Sequence, residues 1–225
     1  AKRGLWKRAL PDPRAEPISG TDGAVYPFWS PDGSHVGFFA NGVLKRVPVA
    51  GGPAQTITRA PGPWPRGSWG ASGDILFTVG TFRSTIYRVS SSGGQPVAVP
   101  HAGVAHDLQW LPDGRHFLYV NAESAPVKLM AGSIHSADPP VAVTEFVEES
   151  GNSARYSTAG FLVFNRGGVL NRQRFDTATL QLTGPLTAIG DRVGGVRGWF
   201  AASVAGTSVA PLNPPPRAIG GTPPD

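Results

Sequence analysis

The chain has 225 residues, 30 glycines and 23 prolines, with charged residues at only 16% and a net charge of +5. That length holds one sizeable domain with a substantial core, while the glycine and proline content suits short strands with tight turns and excludes a fold of long helices. The absence of cysteine excludes disulfides, thiolate metal sites and a cysteine nucleophile; no run reaches the ~18 apolar residues of a membrane span, and the scattered basic residues, clustered only at Lys2, Arg3, Lys7 and Arg8, lack the stripe of a nucleic-acid reader.

The N-terminus carries neither an initiator methionine nor the apolar core of a signal peptide, and reads as cut from something longer. Leu5-Trp6-Lys7-Arg8-Ala9-Leu10 predicts a strand, Pro11-Asp12-Pro13-Arg14 a turn, and Glu16-Pro17-Ile18-Ser19 a second strand.

A longer unit then recurs. Trp29-Ser30-Pro31-Asp32-Gly33 leads into Ser34-His35-Val36-Gly37-Phe38-Phe39, and Trp110-Leu111-Pro112-Asp113-Gly114 into Arg115-His116-Phe117-Leu118-Tyr119-Val120. Looser copies are Trp69-Gly70-Ala71-Ser72-Gly73 before Asp74-Ile75-Leu76-Phe77, Tyr156-Ser157-Thr158-Ala159-Gly160 before Phe161-Leu162-Val163-Phe164, and a degenerate fifth at residues 202–210. The glycines fall at 33, 73, 114, 160 and 206, intervals of 40, 41, 46 and 46 residues, and such a period marks a repeat architecture. Proline presets φ, aspartate bonds the backbone ahead of it, and glycine supplies the positive φ that closes the turn. Each unit continues through a third strand, a turn and a fourth strand. Val43-Leu44-Lys45-Arg46-Val47, Ala50-Gly51-Gly52-Pro53 and Gln55-Thr56-Ile57-Thr58 show it most clearly.

The prediction is an all-β chain, a β-propeller of four-stranded antiparallel blades. A half blade of outer strands spans 1–20. Full blades span 21–60, 61–101, 102–146 and 147–190, and a half blade of inner strands spans 191–210. The Pro- and Gly-rich segment 211–225 is expected to be disordered. Two half blades and four full ones leave open whether the halves combine to close a ring or the chain is an open arc. Trp29, Trp69 and Trp110 share one motif position and are expected to bury their rings between blades.

These motifs resemble the WD40-like propeller repeat of the TolB type. The wider pattern, residues 5–210, is most similar to the propeller region that follows the catalytic domain of bacterial receptor-type serine/threonine kinases. The resemblance implies a non-catalytic sensor or scaffold on the extracytoplasmic, periplasmic side. The kinase signatures themselves are missing from the sequence: there is no Gly-x-Gly-x-x-Gly loop, His-Arg-Asp or Asp-Phe-Gly. The alternatives are the propeller of a hydrolase or peptidase, or a TolB-like periplasmic protein-interaction propeller.

Binding residues of a propeller come from loops entering the innermost strands. There the copies diverge while the motif repeats, which selects Arg66, His106, Asp107, Asn152, Arg155 and Arg197 as a candidate ring for a protein or small-molecule ligand at the channel mouth. Ordinary solvated loop residues would satisfy the same pattern. No catalytic residue, cofactor or metal site is assigned. Gly151-Asn152-Ser153-Ala154-Arg155 fails the Gly-x-Ser-x-Gly elbow at its last position, and His101, His106 and Asp107 lack a metal-binding motif.

Overall fold

The computed structural model describes residues 4–7, 14–80, 84–100, 105–121, 123, 125–135, 139–146, 154–166, 169–192, 200–202 and 209–211. The expected disordered segment lies outside the described residues, apart from Pro211. Strands β1 (Trp6–Lys7) and β2 (Glu16–Pro17) form an antiparallel pair near the N-terminus. Four four-stranded antiparallel sheets follow, each a meander in chain order. Blade 1 is β3 (Val25–Trp29), β4 (His35–Ala40), β5 (Val43–Pro48) and β6 (Gln55–Arg59). Blade 2 is β7 (Arg66–Trp69), β8 (Asp74–Thr78), β9 (Tyr87–Ser90) and β10 (Val97–Ala98). Blade 3 is β11 (Ala105–Trp110), β12 (His116–Asn121), β13 (Lys128–Ser133) and β14 (Val141–Glu145). Blade 4 is β15 (Ala154–Ser157), β16 (Phe161–Arg166), β17 (Val169–Asp176) and β18 (Gln181–Arg192). A last pair, β19 (Phe200–Ala202) and β20 (Val209–Pro211), forms its own two-stranded sheet. The composite blade that would join the two end pairs is not formed among the described residues: they are separate sheets.

The strand after each turn is apolar at nearly every position because both of its faces are covered. Phe39 of β4 meets Ile75 and Phe77 of β8 in the layer between blades 1 and 2. The next residue back, Phe38, turns the other way, toward Ile18 and Leu5 of the N-terminal pair. Leu76 of β8 faces Trp110, Phe117 and Tyr119 of blade 3. Leu118 and Val120 of β12 face Leu162 and Phe164 of β16. The core is thus a series of apolar layers between successive sheets, produced by the period-2 alternation of side chains along each strand.

The turns realise the chemistry read from the sequence. Gly33 and Gly114 adopt φ of 69° and 65°. Asp32 accepts hydrogen bonds from Ser30 Oγ at 2.6 Å, Ser34 Oγ at 2.7 Å and Ser34 N at 3.0 Å, which hold its carboxyl well below the usual carboxylate range. Asp113 accepts from the amides of Arg115 and His116, each at 2.9 Å, and pairs with the His116 ring. His35 and His116 are half-buried and tied back to their turns, His35 through Ser34 Oγ at 2.8 Å.

The Pro-Asp-Gly turns of blades 1 and 3 are one residue longer than those of blades 2 and 4: Trp29 pairs with Val36 and Trp110 with Phe117, against Trp69 with Ile75 and Tyr156 with Leu162. The same two blades carry a bulge in the innermost strand, between Val25 and Phe28 and between His106 and Gln109. A bulge re-aims the side chains around it. In blade 1 it sets the Phe28 ring over two glycines, where a Cβ would come within 2.4 Å of the ring at Gly37 and 2.3 Å at Gly67. Gly67→Ala is therefore expected to cost ~1–3 kcal/mol as overpacking, read as a lower urea midpoint at constant m. Adding Phe28→Leu should recover part of that loss. A double variant no better than the sum of the singles would show that Phe28 is not what the new methyl meets.

Trp110 is buried, at 6% exposure, but Trp29 is 58% exposed and Trp69 half-buried. The expectation that all three bury their rings therefore fails for Trp29. The two covered rings pack toward the preceding blade: Trp110 on Gly70, Trp69 against Phe28 and His35. No described inner strand precedes Trp29, since the N-terminal pair supplies only two short strands on that side.

Candidate functional site

Strands β3, β7, β11 and β15 head their sheets and neighbour one another in order, with β19 beside β15. They are the innermost strands, and their leading ends carry the candidate residues. Arg66 opens β7. Its guanidinium lies 4.1 Å from the centroid of the Tyr26 ring on blade 1, and its Nη1 donates to the Pro65 carbonyl at 2.9 Å. Arg155 in β15 repeats the device, donating from Nη1 to the Ala154 carbonyl at 2.8 Å and from Nη2 to Asp107 Oδ1 on blade 3. Burial works against the Arg155 charge, but the Asp107 carboxylate outweighs it and the pKa moves up.

The two arginine partners share a backbone feature. Tyr26 and Asp107 are the bulge residues of β3 and β11, with φ of 51° and 56°. Aspartate tolerates this left-handed region better than a bulky ring does, and each such residue costs on the order of 1–3 kcal/mol. One residue past the bulge, Gln109 spans to blade 4, donating to Tyr156 O at 2.9 Å and accepting from Tyr156 N at 2.8 Å. Ser68 Oγ accepts from Trp110 N at 3.0 Å between blades 2 and 3. Polar side chains thus replace the backbone ladder where one sheet gives way to the next.

The structure brings Asp107 and Arg155 together between blades 3 and 4 and places Arg66 two interfaces away, on Tyr26 between blades 1 and 2. His106 lies in β11 with only its backbone among the described residues; Asn152 and Arg197 lie outside them. The sequence reading passed over three contributors. Tyr26 occupies the register position of Arg66 and Asp107, and its variation was the available signal. Gln109 precedes a motif tryptophan. Trp64 sits in Pro61-Gly62-Pro63-Trp64-Pro65, whose prolines disfavour a regular strand and signal a presented loop. Trp64 has φ 53° and is 58% exposed. With Tyr26 and Pro65 it lines a cavity of about 210 Å³ between blade 1 and the segment 60–65 that leads into blade 2. No group of three or more metal-ligating side chains occurs among the described residues.

No protein-family model and no curated protein matches the chain. Solved structures do. TolB from Acinetobacter baumannii superposes with a TM-score of 0.67 at 17% identity, over 88% of this chain and 51% of that one. A structure titled as a TolB from Agrobacterium tumefaciens gives 0.61 at 20% identity, over 81% and 67%. A puromycin-hydrolyzing peptidase of Mycobacterium tuberculosis gives 0.65 at 15% identity, over 92% and 37%. The chain spans about half the length of the Acinetobacter protein. Together with the four meander sheets, these likenesses establish an all-β fold of β-propeller blades. At these identities they speak for the fold alone.

Proposed function

We propose that this chain is a non-catalytic binding propeller, the sensor or scaffold part of a bacterial receptor-type serine/threonine kinase on the extracytoplasmic side. The observation that carries the binding reading is the Asp107–Arg155 pair. It sits at the entry to the inner strands, with side chains 16% and 27% exposed, at a position where other blades carry different residues. The arginine device recurs between blades 1 and 2, but there its partner is the Tyr26 ring; the carboxylate partner is particular to this interface, as a residue facing a ligand can be and a repeated structural contact is not. The kinase assignment rests on the repeat motifs, and the extracytoplasmic location also on the likeness to TolB folds.

A thermal-shift screen with short peptides and small organic acids tests the reading. A ligand at a hundredfold excess over its Kd stabilises by about 2.7 kcal/mol, a shift of roughly 5–10 °C for a chain of this size. That shift should vanish in Arg155→Gln and persist in Arg115→Gln, which changes an arginine on the blade 3 turn. Should Arg155→Gln not fold, Asp107→Asn takes its place. Hits that shift wild type and Arg155→Gln alike would remove the pair from the site. Turnover of puromycin or an aminoacyl anilide by this chain alone would establish the alternative, a hydrolytic propeller.

A further inference from the structure

We propose that the cavity between blade 1 and the segment 60–65 is a peptide site: it seats one apolar side chain, proline or aromatic, between Trp64 and Tyr26, and pairs a neighbouring carboxylate with Arg66 at the start of blade 2. The inference rests on the reading of the chain as a binding module but uses a different blade interface from the Asp107–Arg155 pair. Two bulky aromatic residues, Tyr26 and Trp64, hold left-handed φ of 51° and 53° and line the same cavity. Backbone strain of this kind gathers at ligand clamps. Burial does not account for it at Trp64, whose ring is 58% exposed; the strained loop presents the ring instead of hiding it.

Size and lining narrow the ligand. About 210 Å³ is below the 300–1,000 Å³ typical of drug-sized and cofactor pockets, and suits a single side chain. Val25, Phe39, Ala60 and Pro63 complete an apolar wall, and Asn41 brings its one side-chain amide. A sugar would leave most of its hydroxyls unpaired there, at a cost in binding, whereas proline and aromatic peptide side chains dock into such aromatic-lined grooves. Arg66 supplies the charge. It is held within 4.1 Å of one lining residue, Tyr26, and by a hydrogen bond to another, Pro65. Of its five guanidinium hydrogens, those on Nε and Nη2 have no partner among the described residues. A carboxylate matches that fork, and a lysine side chain is repelled by it.

The test is an array of acetylated, amidated tetrapeptides Ala-X-Glu-Ala, with X each of the standard amino acids, and parallel series carrying Gln or Lys in place of Glu. We expect wild type to retain the members with X proline, phenylalanine, tyrosine or tryptophan in the Glu series. Titration of the best member should weaken about tenfold with Gln for Glu, or with Arg66→Gln, on loss of the charge-assisted hydrogen bonds. Trp64→Ala should weaken it similarly, while Arg155→Gln, on the other interface, leaves it unchanged. Trp64 is exposed, so its variant is expected to fold; if Arg66→Gln does not, the Gln and Lys peptide series carry the charge test on wild type. Equal binding of the Lys series, binding indifferent to Trp64→Ala, no retained member, or retention of cello- or chito-oligosaccharides instead would each overturn the proposal. Loss of affinity in Arg155→Gln alone would support the channel pair and sink this site.

Discussion

Trp110→Ala is expected to destabilise the domain by roughly 3–5 kcal/mol, the range for truncating a buried large aromatic. The same change at Trp29, its repeat equivalent, is expected to stay within about 0.5 kcal/mol. The Trp110 indole fills the layer between blades 2 and 3 beside Leu76, Ile86 and Tyr119. It meets Phe117 edge-on at 6.3 Å and 71° and lies so close over Gly70 that a Cβ there would fall 2.8 Å from the ring. The ring is therefore clamped on both sides. Its Nε1 is buried without a hydrogen-bond partner among the described residues. Trp110→Phe should accordingly cost clearly less than alanine, since it keeps most of the volume and removes an N–H that gains nothing from burial. Urea unfolding of the three variants decides the matter. A loss at Trp29 matching that at Trp110 would mean that an inner strand covers Trp29 in solution.

The contrast between these two tryptophans shows how far the sequence could be read. The period and turn residues were legible because they act locally: Pro-Asp-Gly specifies its turn wherever it stands. The apolar strands Val36–Ala40 and Phe117–Val120 were equally clear, since a strand covered on both faces must be apolar throughout. Whether Trp29 is covered was not legible, because its cover is the preceding blade and not its own. The bulges were hidden for a related reason: they depend on cross-strand register, fixed by the longer turn meeting the inner strand, and no residue type announces them. For the site, divergence between copies selected Arg66, Asp107 and Arg155, and the structure pairs the last two. It could not reveal that Arg66 would meet a ring where Arg155 meets a carboxylate. Trp64 escaped because it lies between repeats, where the register comparison has nothing to align.

Removing residues 1–19 is expected to cost on the order of 5 kcal/mol, a large part of the ~5–15 kcal/mol by which a domain is stable. The N-terminal segment covers the middle strands of blade 1 on one face. Leu5 and Ile18 pack on Val36, Phe38, Ala40 and Val47, and Phe38 is fully buried in that contact. Polar ties hold the pair in place: Thr21 Oγ1 accepts from Leu5 N at 2.9 Å and donates to Ile18 O at 2.6 Å, and Lys7 Nζ reaches Val49 O at 3.0 Å. The Lys7–Glu16 ion pair at 3.7 Å, with Glu16 72% exposed, adds little beside these. Ile18→Ala, at ~2–5 kcal/mol, probes the same face in a chain that keeps its length. Hydrogen exchange then locates the damage. Because β1–β2 and β19–β20 are separate sheets, the loss of protection should fall on β3–β6 and leave residues 200–202 and 209–210 as they were. If those C-terminal amides lose protection together with blade 1, the two end pairs share one sheet in solution, and the propeller closes through a blade built from both ends of the chain.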